Sequence, residues 1–355
     1  MSPLTSPPTL APSPTASDSV SWTDPARQAL FDRWLSGLTP SQGLLPATLR
    51  VASADASFRR YLRVDSLAGD SRIVMDAPPD KENTEPFIRI AKLFANAKLH
   101  VPAIEEINSE QGFLMLEDLG STCLLDEINS TNADRIYGQA LDSLLQLQTQ
   151  LDISQCDLNQ YDRPLLEREL GIFSEWFLDK LLGINLPESI KQPLHDLLIS
   201  SALEQPQVCV HRDFHSRNLM MLDSNSPGII DFQDAVIGPV SYDLVSLLRD
   251  CYIQWPAQQV EQWAHAYYQR LVSANLVSVE FTQFKRWFDL MGLQRHLKAV
   301  GIFARLHLRD GKSNYLADIP RTLSYVSDVS RRYPELLAFS QFLETAILPI
   351  YPSKL

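Results

Sequence analysis

The stretch VCVHRDFHSRNLMML (Val208–Leu222), followed by GIIDFQD (Gly228–Asp234), limits what this chain can fold into more than any other segment. Two apolar runs of strand length carry Asp213, Asn218 and Asp231, and a turn at Asp223–Pro227 folds the second run back on the first. An ordinary core strand does not gather two carboxylates and an amide on facing segments, because buried polar groups need partners. The partner must come from outside the chain. Asn218 and Asp231 are hard oxygen donors that leave room for water and phosphate, which is how Mg2+ is bound. Asp213 remains to accept a proton or a hydrogen bond from a substrate hydroxyl. One carboxylate orienting a nucleophile, beside ligands for a metal that neutralises nucleotide charge, is what phosphoryl transfer needs. Each residue alone reads as a turn or cap; the joint spacing carries the inference.

The rest of the sequence sets the frame. A chain of 355 residues is long enough for two domains, and 45% hydrophobic with 21% charged residues describes an ordinary globular protein. A net charge of −12 argues against nucleic acid as the main partner. Cys123, Cys156, Cys209 and Cys251 have no CxxC spacing, so reduced thiols are expected rather than disulfides or a zinc site. No run is long enough to span a bilayer, and the N-terminus lacks the basic start and apolar core of a secretory signal. The expectation is a cytoplasmic protein with no membrane or obligate protein partner.

Residues 1–20, rich in Ser, Pro and Thr, read as a disordered tail. Pro25 opens a helix that Gly37 is expected to stop. Strand-like runs follow at Thr48–Ser53, Arg60–Asp65, SRIVMDA, Ala103–Ile107 and Gly112–Leu116, with an amphipathic helix over EPFIRIAKLFANA. After Gly120 the texture is helical, with segments at Asn132–Leu151, Arg163–Leu182, Pro187–Leu203, Tyr242–Tyr252, Ala257–Ala274 and Glu280–Leu308. In the last of these, Leu290, Leu293, Leu297, Val300 and Ala304 form a core stripe. The division is thus a small strand-rich N-lobe over 21–117 and a larger helical C-lobe over 118–355.

HRDFHSRN and IDFQD resemble the catalytic and metal motifs of the aminoglycoside phosphotransferase/choline kinase family, relatives of the protein kinases. The resemblance runs from about residue 25 to the end. It implies an α+β, protein-kinase-like two-lobed fold, ATP with Mg2+, Asp213 as catalytic base, and Asn218 and Asp231 as metal ligands. It also implies LMLEDLG as the hinge, where the backbone of Glu117 and Leu119 would meet the adenine edge. RVASADASFRRYLRV, IVMDAPPDKE, FQDAVIGPVSYDLVSLLRDCYIQW and GLQRHLKAVGIFARLHLRDGK are similar, more narrowly, to bacterial anomeric amino-sugar kinases. That likeness implies phosphorylation of N-acetylmuramate and N-acetylglucosamine at C1 in cell-wall recycling. Other acceptors served by the fold (choline, homoserine, fructosamine, an aminoglycoside) and a nucleotide-binding pseudokinase are the alternatives.

Two departures from the kinase pattern stand out. The loop ASADASFR has no glycine, so Ser57 and Arg59 are the candidate phosphate donors. The third strand reads RIVMDAPP, with Met75 and Asp76 where a kinase carries its phosphate-gripping lysine. Arg60 or Arg63 is the candidate replacement, on opposite faces of one strand, and Glu85 is the candidate carboxylate for such a cation. For the acceptor the candidates are His215, Gln233, Asp234 and Arg249. An acceptor carboxylate has Arg249, Arg295, Lys298 and Arg305 to choose from. Asp243 is expected to cap a helix or support the catalytic loop, and Arg212 to pair with an internal acid.

Overall fold

The computed structural model describes residues 20–54 and 58–351, so residues 1–19 of the expected N-terminal tail and Ser57 lie outside the described residues, while Val20 packs against the core of the first unit. The chain divides into two compact units, one running to Arg89 and including Pro102–Ser121, the other comprising Ile90–Val101 and the chain from Thr122 onward.

The first unit is an antiparallel sheet with a helix packed on it. Helix α1 (Pro25–Gln42) begins with Asp24 accepting a hydrogen bond from the Ala26 N–H at 2.9 Å, and Pro25 fills the first helical position. The expected stop at Gly37 is wrong. The helix runs through it to Gln42 and ends at Gly43, which takes the left-handed conformation (φ 61°). Leu38, beyond Gly37, packs against the core of this unit, so burial outweighs the glycine's helix penalty. The sheet has five strands in the order β1-β2-β3-β5-β4: β1 (Leu44–Ala54), β2 (Arg60–Ser66), β3 (Ser71–Asp76), β4 (Ile104–Asn108) and β5 (Phe113–Glu117). Phe31 and Leu35 of α1 meet Leu62, Val64, Val74, Phe113 and Met115 of the sheet. Helix α2 (Glu85–Asn96) follows β3.

The second unit opens with α3 (Leu124–Glu127) and α4 (Ala133–Gln150), then strand β6 (Asn159–Gln160), helix α5 (Arg163–Ile172) with a π-helical continuation over Phe173–Leu182, and α6 (Glu188–Leu203). Next come β7 (Gln207–Val210), the hairpin β8 (Leu219–Met220) and β9 (Gly228–Ile229), and β10 (Val236–Pro239). Strand β10 pairs antiparallel with β7 and parallel with β6. The remainder is α7 (Tyr242–Leu248), α8 (Ala257–Ser273), α9 (Phe281–Asp310), α10 (Ile319–Ser330) and α11 (Leu337–Phe342).

Helix α9 organises this unit. Leu290, Leu293, Leu297, Val300 and Ala304 are buried, but so are Asp289, Gln294, Arg295, His296 and Lys298. Helices α5, α6, α7 and α10 all pack against it, so its polar face is enclosed as well as its apolar stripe. At Gly301 the packing is backbone against helix. A Cβ there would lie 2.6 Å from the Ile172 carbonyl carbon and oxygen and 2.7 Å from the Phe173 nitrogen. Gly301→Ala is therefore expected to destabilise the protein by about 2 kcal/mol through overpacking, read as a lower urea midpoint at unchanged m. An unchanged midpoint would mean that α9 can move away from this junction freely.

Candidate active site

Strand β7 delivers the chain to His211, and the segment from His211 to Asn218 is held open by two buried carboxylates. Asp243, in the first turn of α7, accepts from the His211 N–H at 2.6 Å and the Arg212 N–H at 3.0 Å. Asp250 accepts from the Ser216 N–H at 2.9 Å and the Tyr252 N–H at 3.0 Å. Both carboxylates are fully buried. Backbone amides satisfy them, and the loop gains a fixed shape in exchange. Burial, opposed by the two N–H donors, pushes the Asp243 carboxyl up to about 7.

The His211 ring ties this loop to the next strand. Its Nδ1 accepts from the Asp213 N–H at 3.2 Å, so Nε2 carries the proton and donates to the Ile230 carbonyl at 3.1 Å. Burial pushes His211 down to about 4, which keeps it neutral. Phe94 of α2 lies against both His211 and Phe232, with ring centroids 6.1 and 5.8 Å apart. Arg212 and Asp231 take positive φ (77° and 63°), a strained backbone for residues other than glycine. The contacts just described are what hold it there.

The three residues singled out by spacing converge. The Asn218 side-chain N–H2 donates to the Asp213 carbonyl at 3.0 Å and lies 3.4 Å from Asp231 Oδ2. The Asn218 carbonyl accepts from the Ile230 N–H at 3.1 Å, which locks the two segments together. Gln233 Nε2 donates to Asp231 Oδ1 at 2.8 Å. The Asn218 amide nitrogen thus faces both the Asp213 carbonyl and the Asp231 carboxylate, which brings the Asn218 and Asp231 side chains together. One amide oxygen and one carboxylate are hard donors that fit Mg2+ with water and phosphate completing the shell. Among the described residues no group of three or more His, Cys, Asp or Glu side chains is placed to hold a metal. Asp213 itself is half-buried. Burial works against its ionisation, but Lys298, then His215 and Arg295, outweigh it and hold the carboxyl below its ordinary value of 3.8.

A second network lies behind the loop. Glu169 of α5, almost fully buried, receives Arg212 in a short ion pair, Lys298 Nζ at 2.9 Å, Gln294 Nε2 at 3.1 Å and the Tyr161 hydroxyl. Burial opposes its charge, yet Lys298 and Arg212 bring it down to about 2.

Arg249 pairs with Asp289 at 2.5 Å, and its guanidinium lies over the Phe288 ring. Gln233 stands in the site, with Nε2 on Asp231 and Oε1 buried without a hydrogen-bond partner among the described residues, and Asp234 is exposed. The His215 ring meets Tyr252 edge-on at 5.3 Å, with its Nδ1 buried and unpartnered.

In the first unit, Asp76 is fully buried between Arg27 (2.6 Å) and Arg60 (2.5 Å). Arg60 therefore neutralises the acid that stands in place of the usual lysine. Arg63 binds Asp118 at 2.5 Å, and burial of that acid is outweighed by Arg63 and Ser71, so its carboxyl lies below its ordinary value. Glu85 pairs with Arg89 of its own helix at 3.3 Å and not with a strand cation. Arg59 lies 4.0 Å from Glu82. The Glu117 N–H already donates to the Ala103 carbonyl at 2.8 Å, which leaves it unable to serve a ligand, and Leu119 is buried.

Sequence reasoning missed Asp250 and Glu169. Both had a signal: Asp250 closes the largely apolar stretch LVSLLRD, and Glu169 sits on the stripe with Leu166 and Leu170, where a carboxylate must have a buried partner.

The model of the phosphotransferase enzyme family matches residues 48–276. An N-acetylmuramate/N-acetylglucosamine kinase of Pseudomonas putida is 47% identical over 306 residues, covering 85% of this chain and 89% of the relative. One of the same name from Pseudomonas aeruginosa is 43% identical over 332 residues, covering 90% and 97%. Among solved structures, ADP-bound aminoglycoside phosphotransferase APH(2'')-Ib is similar with a TM-score of 0.55 at 14% identity, over 84% of this chain and 98% of that one. That likeness bears on the fold, which is α+β and protein-kinase-like. With a clamped Asp213 loop beside Asn218 and Asp231 lying inside the matched span, the chain belongs to the phosphotransferase enzyme family.

Proposed function

We propose that this protein is a kinase that transfers the γ-phosphoryl group of ATP to the anomeric C1 hydroxyl of N-acetylmuramate and N-acetylglucosamine. The observation that carries this reading is the convergence of Asp213, Asn218 and Asp231 in a chain nearly half identical to kinases named for those sugars. Asp213, kept ionised, accepts the proton of the C1 hydroxyl as its oxygen attacks the γ-phosphorus. The bond to the β–γ bridging oxygen breaks, and ADP leaves. Asn218 and Asp231 would hold Mg2+, which would neutralise phosphate charge. Asp243 and Asp250 fix the loop so that Asp213 meets the hydroxyl with little reorganisation. For the nucleotide, the carbonyl of Glu117 and the backbone of Leu119 are proposed to face the adenine edge, and Arg59 with Ser57 the phosphates. Absence of any long apolar helix among the described residues and the use of ATP agree with a cytoplasmic setting.

The test is incubation with Mg-ATP and a panel of N-acetylmuramate, N-acetylglucosamine, homoserine, choline and kanamycin, with products read by phosphorus NMR. A sugar 1-phosphate doublet is expected with both amino sugars. Turnover with another acceptor alone would discard the sugar assignment and keep the phosphotransferase. ATP binding without any product would point to a pseudokinase.

A further inference from the structure

The basic side chains packed behind the catalytic loop are mostly neutralised from within. Arg212 and Lys298 share Glu169, and Arg249 is bound to Asp289. Arg295 differs. It is 6% exposed, and among the described residues its only polar partner is the Cys251 sulfur, 3.6 Å from Nη1. A thiol is a weak acceptor, and among the described residues no carboxylate lies within 4.0 Å of this guanidinium; Asp250 and Asp213 act on it only from farther away, so its fork has no carboxylate bound to it. Nor are its remaining nitrogens sealed in. Arg249 Nη1 and Arg212 Nε are buried without a partner, whereas no Arg295 nitrogen is.

Its position follows from the packing of α9. At Gly292, one turn earlier, a Cβ would lie 2.9 Å from Val245 Cγ2, so α7 and α9 touch closely there. That contact sets His296 Nε2 on the Arg249 carbonyl at 2.8 Å and Arg295 on Cys251. Cys251 directly follows Asp250, which clamps the catalytic loop, and precedes Tyr252, which carries His215 edge-on. Arg295 is therefore one contact removed from the loop that bears Asp213.

We propose that Arg295 is the specificity residue that grips a carboxylate on the acceptor. This rests on the sugar-kinase reading above, under which the carboxylate is the lactyl group of N-acetylmuramate, a group that N-acetylglucosamine lacks. A guanidinium presents paired N–H donors that match a carboxylate, and the enclosed setting strengthens the contact. The neutral sugar leaves this cation unused, so a single site can take both.

The measurement is the ratio of kcat/KM for N-acetylmuramate to that for N-acetylglucosamine, together with KM for ATP, in wild type, Arg295→Gln and Arg295→Lys. In Arg295→Gln the ratio is expected to fall about 10- to 100-fold, the worth of a charge-assisted hydrogen bond. Arg295→Lys, which keeps the charge but loses the fork, should fall by less, about threefold to tenfold, and it supplies the ratio if the neutral variant does not fold. A ratio within twofold of wild type in whichever variants fold would overturn the assignment. So would equal losses on both sugars, which would mean that Arg295 acts only through Asp213. A raised KM for ATP at a constant ratio would also overturn it and give the anion as nucleotide phosphate. Failure of wild type to phosphorylate either sugar would instead remove the reading on which the proposal rests.

Discussion

Asp213→Asn is expected to lower kcat about 10³-fold or more while changing the dissociation constant for Mg-ATP less than about threefold. The substitution keeps the size of the side chain and removes its capacity to take a proton. The loop should keep its shape, because Asp243, Asp250 and the His211 ring grip the backbone rather than the Asp213 carboxylate. Calorimetric ATP titration paired with the NMR assay checks both halves, and kcat within tenfold of wild type would remove Asp213 as the base. The wild-type pH profile carries a related expectation. Lys298, then His215 and Arg295, hold the Asp213 carboxyl below 3.8, so loss of the ionised base does not limit turnover until the solution is more acidic than that. An acidic limb near pH 6 would have to come from another group.

The second large effect is on stability. Glu169→Gln leaves Arg212 and Lys298 as buried cations without a counter-charge, which should cost about 3–5 kcal/mol. Turnover should fall with it, since Arg212 adjoins the base and holds a strained backbone. The pH dependence has a definite sign. Lys298 and Arg212 bring the Glu169 carboxyl from its ordinary 4.5 down to about 2 despite its burial. Its contribution is fully present above pH 4.5 and is lost as pH falls through about 2. The gap in urea midpoint between wild type and Glu169→Gln should accordingly be widest at neutral pH and narrow progressively below pH 4.5. A gap constant from pH 7 to pH 3 would mean that the carboxylate's charge does not stabilise this network.

Much of the fold was legible in advance, and the reasons are local. Strand alternation in β2 and the stripe on α9 follow from the periods at which side chains share a face, and each expected strand of the first unit appears within a few residues of its place. The failure at Gly37 is also physical. A glycine ends a helix only where the chain gains nothing by continuing, and Leu38 gains burial. Partners were harder to read than elements. Arg60, Arg63 and Arg249 were candidates for ligands because a sequence displays a charge without its counter-charge. The fold brings Asp76, Asp118 and Asp289 to them across 16, 55 and 40 positions of chain.

The sequence by itself determined the chemistry available. The spacing of Asp213, Asn218 and Asp231 places three polar groups on adjoining short segments, and a hairpin of this length leaves them few ways to lie apart. Tertiary structure alone decided which charges are spent and which are left. Glu169 becomes the hub behind the base because α5 packs on α9, and Asp250 becomes a clamp because its two N–H donors come from either side of it in space. Arg295 is left with a thiol for the same reason: burial makes every ion pair a question of what the packing brings within about 4 Å, and that distance is not written along the chain.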